Sequence, residues 1–199
     1  MQVSNSTSLD ADRLVALMTE TTQDWPVRRL RVRVRYSRGA DFSGTCYYKH
    51  GVIHVNVGRH VRYPYRLGTS IARAESNTRY WWKPIHTVEL ADAYQLVLFV
   101  FLHELYHWLV QKARRNPRQK ESMCDRFAVR MLVERFGCKV RDEAGHPVSR
   151  ESWDFQDVMR FVAAARAPTL RPTQPVRSAA KRPMPGRLRH GDQLLLFEV

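Results

Sequence analysis

The 199-residue sequence predicts an α+β domain followed by a basic tail, on three observations. Residues Tyr94 to Val110 read YQLVLFVFLHELYHWLV, apolar nearly all round, which suits a buried central helix. Two segments, Arg29 to Tyr36 and Val52 to Val57, alternate with the period of two that marks half-buried strands. Beyond Ala165 the composition changes: Arg166 to Gly191 holds seven Lys/Arg, five prolines and no acidic residue, too little apolar surface to form a core. The domain therefore spans 1–165 and the tail 166–199.

Each element follows in order. Ser8 to Asp24 reads as an amphipathic helix capped by Ser8 and stopped by Trp25-Pro26, with Leu14, Leu17 and Met18 inward. In the strand from Arg29 to Tyr36, Leu30, Val32, Val34 and Tyr36 share one face, and Arg29, Arg31, Arg33 and Arg35 the other. That basic face is either a solvated sheet surface or a stripe suited to phosphates. Thr45 to Tyr48 and Val52 to Val57 form a hairpin turning at Lys49-His50-Gly51. Between Arg59 and Leu90 the aromatic residues are too dense for an idle loop. Trp81 or Trp82 is expected in the core, and Arg79 and Lys83, interleaved with the rings, offer further contacts to nucleic acid. Asn116-Pro117 ends the central helix, and a second helix runs from about Lys120 to Phe136. A short hairpin or loop over Gly137 to Arg150 and a last helix over Ser152 to Ala165 complete the domain.

The central helix carries His103-Glu104-Leu105-Tyr106-His107, an H-E-x-x-H motif. Helix positions i and i+4 share a face, so His103 and His107 can chelate one metal ion, and Glu104 stands where it can take a proton from water. Two histidines and a glutamate in an apolar helix cost several kcal/mol unless something binds or pairs them, about the penalty for burying unpartnered polar groups. A catalytic zinc site needs a third protein ligand and an open fourth position. Glu121, in the first turn of the next helix, can supply it, although a carboxylate is also favoured there by the helix dipole. Asp125, one turn on, can accept the second ring N–H of an imidazole ligand.

H-E-x-x-H followed by E-x-x-x-D on the next helix is the pattern of the gluzincin peptidases. Glu121, Asp125, Phe127 and Ala128 also fit the closer pattern E-x-x-A-[DN]-x-F-A, so the segment from about Ser43 to Phe136 resembles the ImmA/IrrE family of small intracellular gluzincins. Cys124 stands where that family has alanine, and a thiol there could compete as a ligand or sense oxidation. The resemblance implies a small gluzincin fold, with a short mixed sheet packed on the H-E-x-x-H helix and on the ligand-bearing helix after it. It implies Zn(2+) held by His103, His107 and Glu121, with Glu104 as general base. It also makes the strand Val52, Ile53, His54, Val55, Asn56, Val57 the sheet edge that pairs with extended substrate. His86, Tyr80 and His146 are candidates for stabilising the oxyanion.

A formal charge of +14 favours a polyanionic partner, most simply nucleic acid. Arg177, Lys181, Arg182, Arg187 and Arg189 of the tail would add contacts without sequence choice. The tail closes on Gln193-Leu194-Leu195-Leu196-Phe197, which resembles the Q-L-x-L-F peptide that binds the bacterial sliding clamp. On that resemblance Gln193, Leu194, Leu196 and Phe197 would make the contact; the other reading is a terminal strand folded back on the domain. Three scattered cysteines argue against a disulfide framework. A polar start and short apolar runs argue against a membrane segment. The expected location is the cytoplasm, at the nucleoid.

Together these features predict a zinc endopeptidase acting on DNA-associated protein, either a repressor or a protein crosslinked to DNA. The layout of peptidase, basic surface and clamp tail resembles the SprT/Spartan peptidases, but their third histidine after H-E-x-x-H is missing here. Alternatives are a non-catalytic, zinc-containing adaptor for DNA or clamp, and an antirestriction or plasmid-maintenance factor that binds without cutting. A structural zinc would have no use for Glu104.

Overall fold

In the computed structural model, which describes residues 1–116 and 120–166, the chain begins with a strand that the sequence pattern does not announce. Strand β1 (Gln2–Asn5) turns only Val3 and Asn5 partly inward, too short a period-two signal to stand out. Asn5 then closes a tight turn: its side chain donates to Leu9 O (2.7 Å) and accepts from Thr7 N (3.0 Å). Helix α1 (Ala11–Thr22) follows. Its cap is Asp10, whose carboxylate accepts from Arg13 N at 2.7 Å, and not Ser8, which bonds the Tyr36 hydroxyl instead. Leu14 and Met18 are fully buried, as the helical period requires.

Strand β2 (Arg31–Tyr36), strand β3 (Phe42–Tyr47) and strand β4 (Val52–Val57) join β1 in a four-stranded mixed sheet of order β1-β2-β4-β3. β1, β2 and β4 run parallel, and β3 is antiparallel to β4. The hairpin is as expected, turning through Tyr48–His50 and Gly51, where φ of 58° suits glycine. The edge is not. Val52 to Val57 is hydrogen-bonded on both sides and cannot take up an added strand; the free edge beside it belongs to β3. In hindsight the compositions differ in the right sense. β4 is rich in buried β-branched residues, whereas β3 reads Phe-Ser-Gly-Thr-Cys-Tyr, polar and glycine-bearing as edges tend to be.

A second sheet contains strand β5 (Tyr65–Thr69) and is separated from its partner by a small hairpin, β6 (Glu75–Ser76) with β7 (Trp81–Trp82). Strand β8 (His86–Leu90) pairs antiparallel with β5. Contrary to expectation neither tryptophan is in the core: Trp81 is 74% and Trp82 40% exposed, beside Tyr80 at 63%. The rings of this hairpin stay at the surface, with Tyr80 and Trp82 tilted against each other at 5.8 Å.

Helix α2 (Ala93–Lys112) is capped by Asp92, which accepts from Gln95 N, while Gln95 reaches back to Ala91 N. By length and composition it is apolar enough to cross a membrane, yet 78% of that stretch is buried inside the fold. It is the core helix: Val32, Val34, Ile53, Val55 and Val57 of the sheet and the inner face of helix α3 (Lys120–Phe136) share one apolar core with it. Strand β9 (Val140–Arg141) adds to β8, and Arg141 bridges to Pro147, forming the expected short hairpin.

The last predicted helix is broken. Helix α4 (Arg150–Trp153) and helix α5 (Val158–Phe161) are separated at Asp154 to Asp157, and a 3-10 turn covers Ala163–Ala165. Asp154 is drawn out of helical use by Arg130 and Arg150, and Asp157 caps α5 by accepting from Arg160 N. The tail contacts expected of Arg177, Lys181, Arg182, Arg187, Arg189, Gln193, Leu194, Leu196 and Phe197 lie outside the described residues.

Candidate metal centre

Two helices build the site. On α2, His103 and His107 stand one turn apart, and their Nε2 atoms approach to 3.2 Å. From the first turn of α3, Glu121 Oε2 lies 3.3 Å from His103 Nε2 and 3.5 Å from His107 Nε2. The three atoms form a nearly equilateral triangle. Donors on a common tetrahedral zinc, each bound at about 2.0–2.1 Å, stand roughly 3.3–3.4 Å apart. Three electron-pair donors this close together repel one another unless a proton or a cation lies between them, and the donor set fits a divalent metal.

Asp125 fixes one member of the triangle. Its Oδ1 accepts from His103 Nδ1 at 2.8 Å, which places the proton on Nδ1 and leaves the Nε2 lone pair for the centre. Its Oδ2 accepts from Ser70 N at 2.7 Å, tying α2 and α3 to the loop after β5. Burial alone would hold the His103 pKa down; the bond and charge of Asp125, with Glu104 and Glu121 behind it, outweigh burial and raise it.

Cys124 brings a further donor. It is fully buried on α3, and its sulfur and one nitrogen of each histidine lie within 4.8 Å of one another. His103, His107 and Cys124 thus form a cluster that could hold a metal ion.

Glu104 lies on the β3 side of α2. It is 9% exposed, and burial raises its carboxyl pKa; the nearby Glu121 charge adds to the rise, while His103 and a hydrogen bond from the Cys46 backbone N–H oppose it. The carboxylate has room only because residue 44 is glycine. A Cβ there would stand 2.4 Å from Glu104 Oε1 and 2.6 Å from its Cγ. Gly44 and the Cys46 N–H are thus features of this site that sequence reasoning missed. A glycine inside a strand is itself a signal of close approach.

Other expected site residues are placed elsewhere. His54 and Asn56 of β4 point to the exposed sheet face, away from α2, while Ile53, Val55 and Val57 are core and Val52 is buried at the strand end. Among the oxyanion candidates, Tyr80 is on the outer hairpin, and His146 pairs with Asp142 at 3.4 Å. His86 is buried in β8, with no hydrogen-bond partner for Nδ1 among the described residues. Lys83, expected on a nucleic-acid surface, turns its ammonium onto the Ser70 carbonyl and is half-buried, which lowers its pKa. Arg79 remains exposed.

No protein-family profile, curated protein or solved structure matches this chain. The residues alone define what it is at this level: an α+β domain whose two central helices converge on a cluster able to hold a metal.

Proposed function

We propose that the domain is a zinc-dependent endopeptidase, with His103, His107 and Glu121 as ligands and Glu104 as general base. The observation that carries this reading is the donor triangle with sides of 3.2, 3.3 and 3.5 Å, three of the four donors that a tetrahedral zinc takes. The buried Cys124 thiol, whose sulfur lies within 4.8 Å of a nitrogen of each histidine, is the competing third ligand, and it would leave Glu104 the same task. A bound zinc supplies Lewis acidity, polarising a peptide carbonyl and acidifying water. Glu104, desolvated and held by the Cys46 N–H, takes the proton of the attacking water and returns it to the leaving amine.

The sheet edge at β3, lying beside Glu104, is the place for an extended peptide to add as a strand, the role the family resemblance assigned to Val52 to Val57. The charge of +14 supports a substrate met on DNA. The reading is tested by metal analysis and by hydrolysis of a quenched-fluorescence peptide library. The wild type should hold one zinc per chain, His103→Ala and Glu121→Ala should lose it, and Glu104→Gln should keep it. Hydrolysis by Glu104→Gln should fall by about 10²–10⁴-fold, the usual worth of a general base. Cleavage undiminished in Glu104→Gln, or a wild type without metal after zinc supplementation, would remove this function.

A further inference from the structure

The outer face of the four-stranded sheet carries chemistry that the metal centre does not use. Arg31, Arg33 and Arg35 project from it at alternate positions of β2, about 7 Å apart by strand geometry. All three are exposed, and among the described residues none of them makes an ion pair. Across the sheet, Arg33 is in register with His54 and Thr45, and Arg35 with Asn56 and Ser43. None of these neighbours is acidic.

The cations are also arranged. Arg35 Nε donates to Asn56 Oδ1 at 2.7 Å, its Nη2 bonds His54 Nδ1 at 3.1 Å, and Asn56 donates to Ser43 Oγ at 2.8 Å. A guanidinium donating to Nδ1 requires a lone pair there, which agrees with a His54 pKa lowered by burial and by Arg35 and Arg33. Tyr47, 45% exposed, packs its ring edge-on to His54 at 5.0 Å. Beyond Arg35 the face runs into a cleft of about 660 Å³ that Arg38 also lines. A row of cations without ion-pair partners among the described residues thus lies alongside an aromatic pair, exposed Tyr47 and half-buried His54, on one open sheet.

We propose that this face binds a single strand of nucleic acid, with phosphates on Arg31, Arg33 and Arg35 and a base against the Tyr47–His54 pair. The combination selects the partner. A single strand offers phosphates and unstacked bases together, whereas in a duplex the base faces are hidden and the major groove admits a helix or a two-stranded ribbon, not the broad face of a four-stranded sheet. An acidic polypeptide would satisfy the arginines but give the rings no partner. The site is independent of the peptidase reading.

The test is fluorescence anisotropy of the full-length protein with labelled oligothymidylate, the equivalent duplex and polyglutamate, each over a range of salt. The basic tail is present in every variant and contributes a constant background. The strand should bind at least tenfold more tightly than the duplex. Replacing Arg31, Arg33 and Arg35 together by threonine should weaken strand binding at least tenfold, leave zinc content unchanged, and reduce the salt slope by about 2, near 0.7 per lost phosphate contact. Tyr47→Ser should weaken the strand alone, by roughly five- to hundredfold, as expected for one lost base stack. Should the triple variant misfold, Arg33→Glu at its exposed position must show the loss. Unchanged binding and slope in the arginine variants, duplex bound as tightly as strand, or polyglutamate bound equally and lost in the same variants would each overturn the proposal.

Discussion

Gly44 shows how much one absent side chain decides. It permits β3 to lie against Glu104 so closely that an added methyl would collide with the carboxylate and its Cγ. Gly44→Ala should therefore displace Glu104 while leaving the proposed zinc ligands His103, His107 and Glu121 in place. We expect peptide hydrolysis to fall by roughly 10²-fold, the typical cost of misplacing a catalytic group by about 1 Å, with zinc content unaltered. Asp125 acts through His103. Asp125→Ala frees the imidazole to rotate, and zinc affinity measured against a competing chelator should weaken about 10–100-fold. Of the site, His103, Glu104 and His107 were legible because their spacing matches the helical repeat, and a repeat of four needs no tertiary information. Glu121 and Asp125 were legible through their own spacing on α3. Gly44 and the Cys46 N–H come from a strand some sixty residues earlier, and no local rule connects them to α2.

At the scale of elements, the register and neighbours of strands were the least legible feature. The period of two identified β2 and β4, but it does not say which strand of a hairpin lies inside a sheet. β4 was inserted between β2 and β3, and the sheet edge passed to β3. The loop after β5 is held by a buried cation that no sequence motif singles out. Arg126, 3% exposed, donates to the carbonyls of Ile71 and Ala72 and to Gln156, with its guanidinium 4.2 Å from the centre of the Phe155 ring. Arg126→Ala leaves those carbonyls buried without donors. Chemical denaturation should show a loss of about 2–3 kcal/mol, in the range for hydrogen bonds from a charged group. Because Ser70, next in the chain, holds Asp125, zinc affinity should fall with it.

The whole molecule answers to alkali through groups remote from the metal. Burial pushes the Cys138 thiol up to about 11 and the Tyr63 phenol up to about 12, the latter with its hydroxyl buried and without a hydrogen-bond partner among the described residues. Between the ordinary values of 9.0 and 10.0 and these raised ones, the unfolded chain has given up protons that the folded chain keeps. The unfolded state then binds fewer protons, so stability must fall as pH rises through that window. Thermal unfolding followed from pH 8 upward should show a Tm that declines from about pH 9 and a decline reduced in Cys138→Ala. At this same scale the division of information is plain. The sequence by itself determined the α+β class, the buried central helix and the H-E-x-x-H pair, because hydrophobic period and i,i+4 spacing act within a few residues. The tertiary structure alone decided which strand is the edge, that Trp81 and Trp82 face outward, and that His54 joins the arginine row on an interior strand. Those outcomes depend on which elements come to lie side by side, a choice made by the packing of the whole chain.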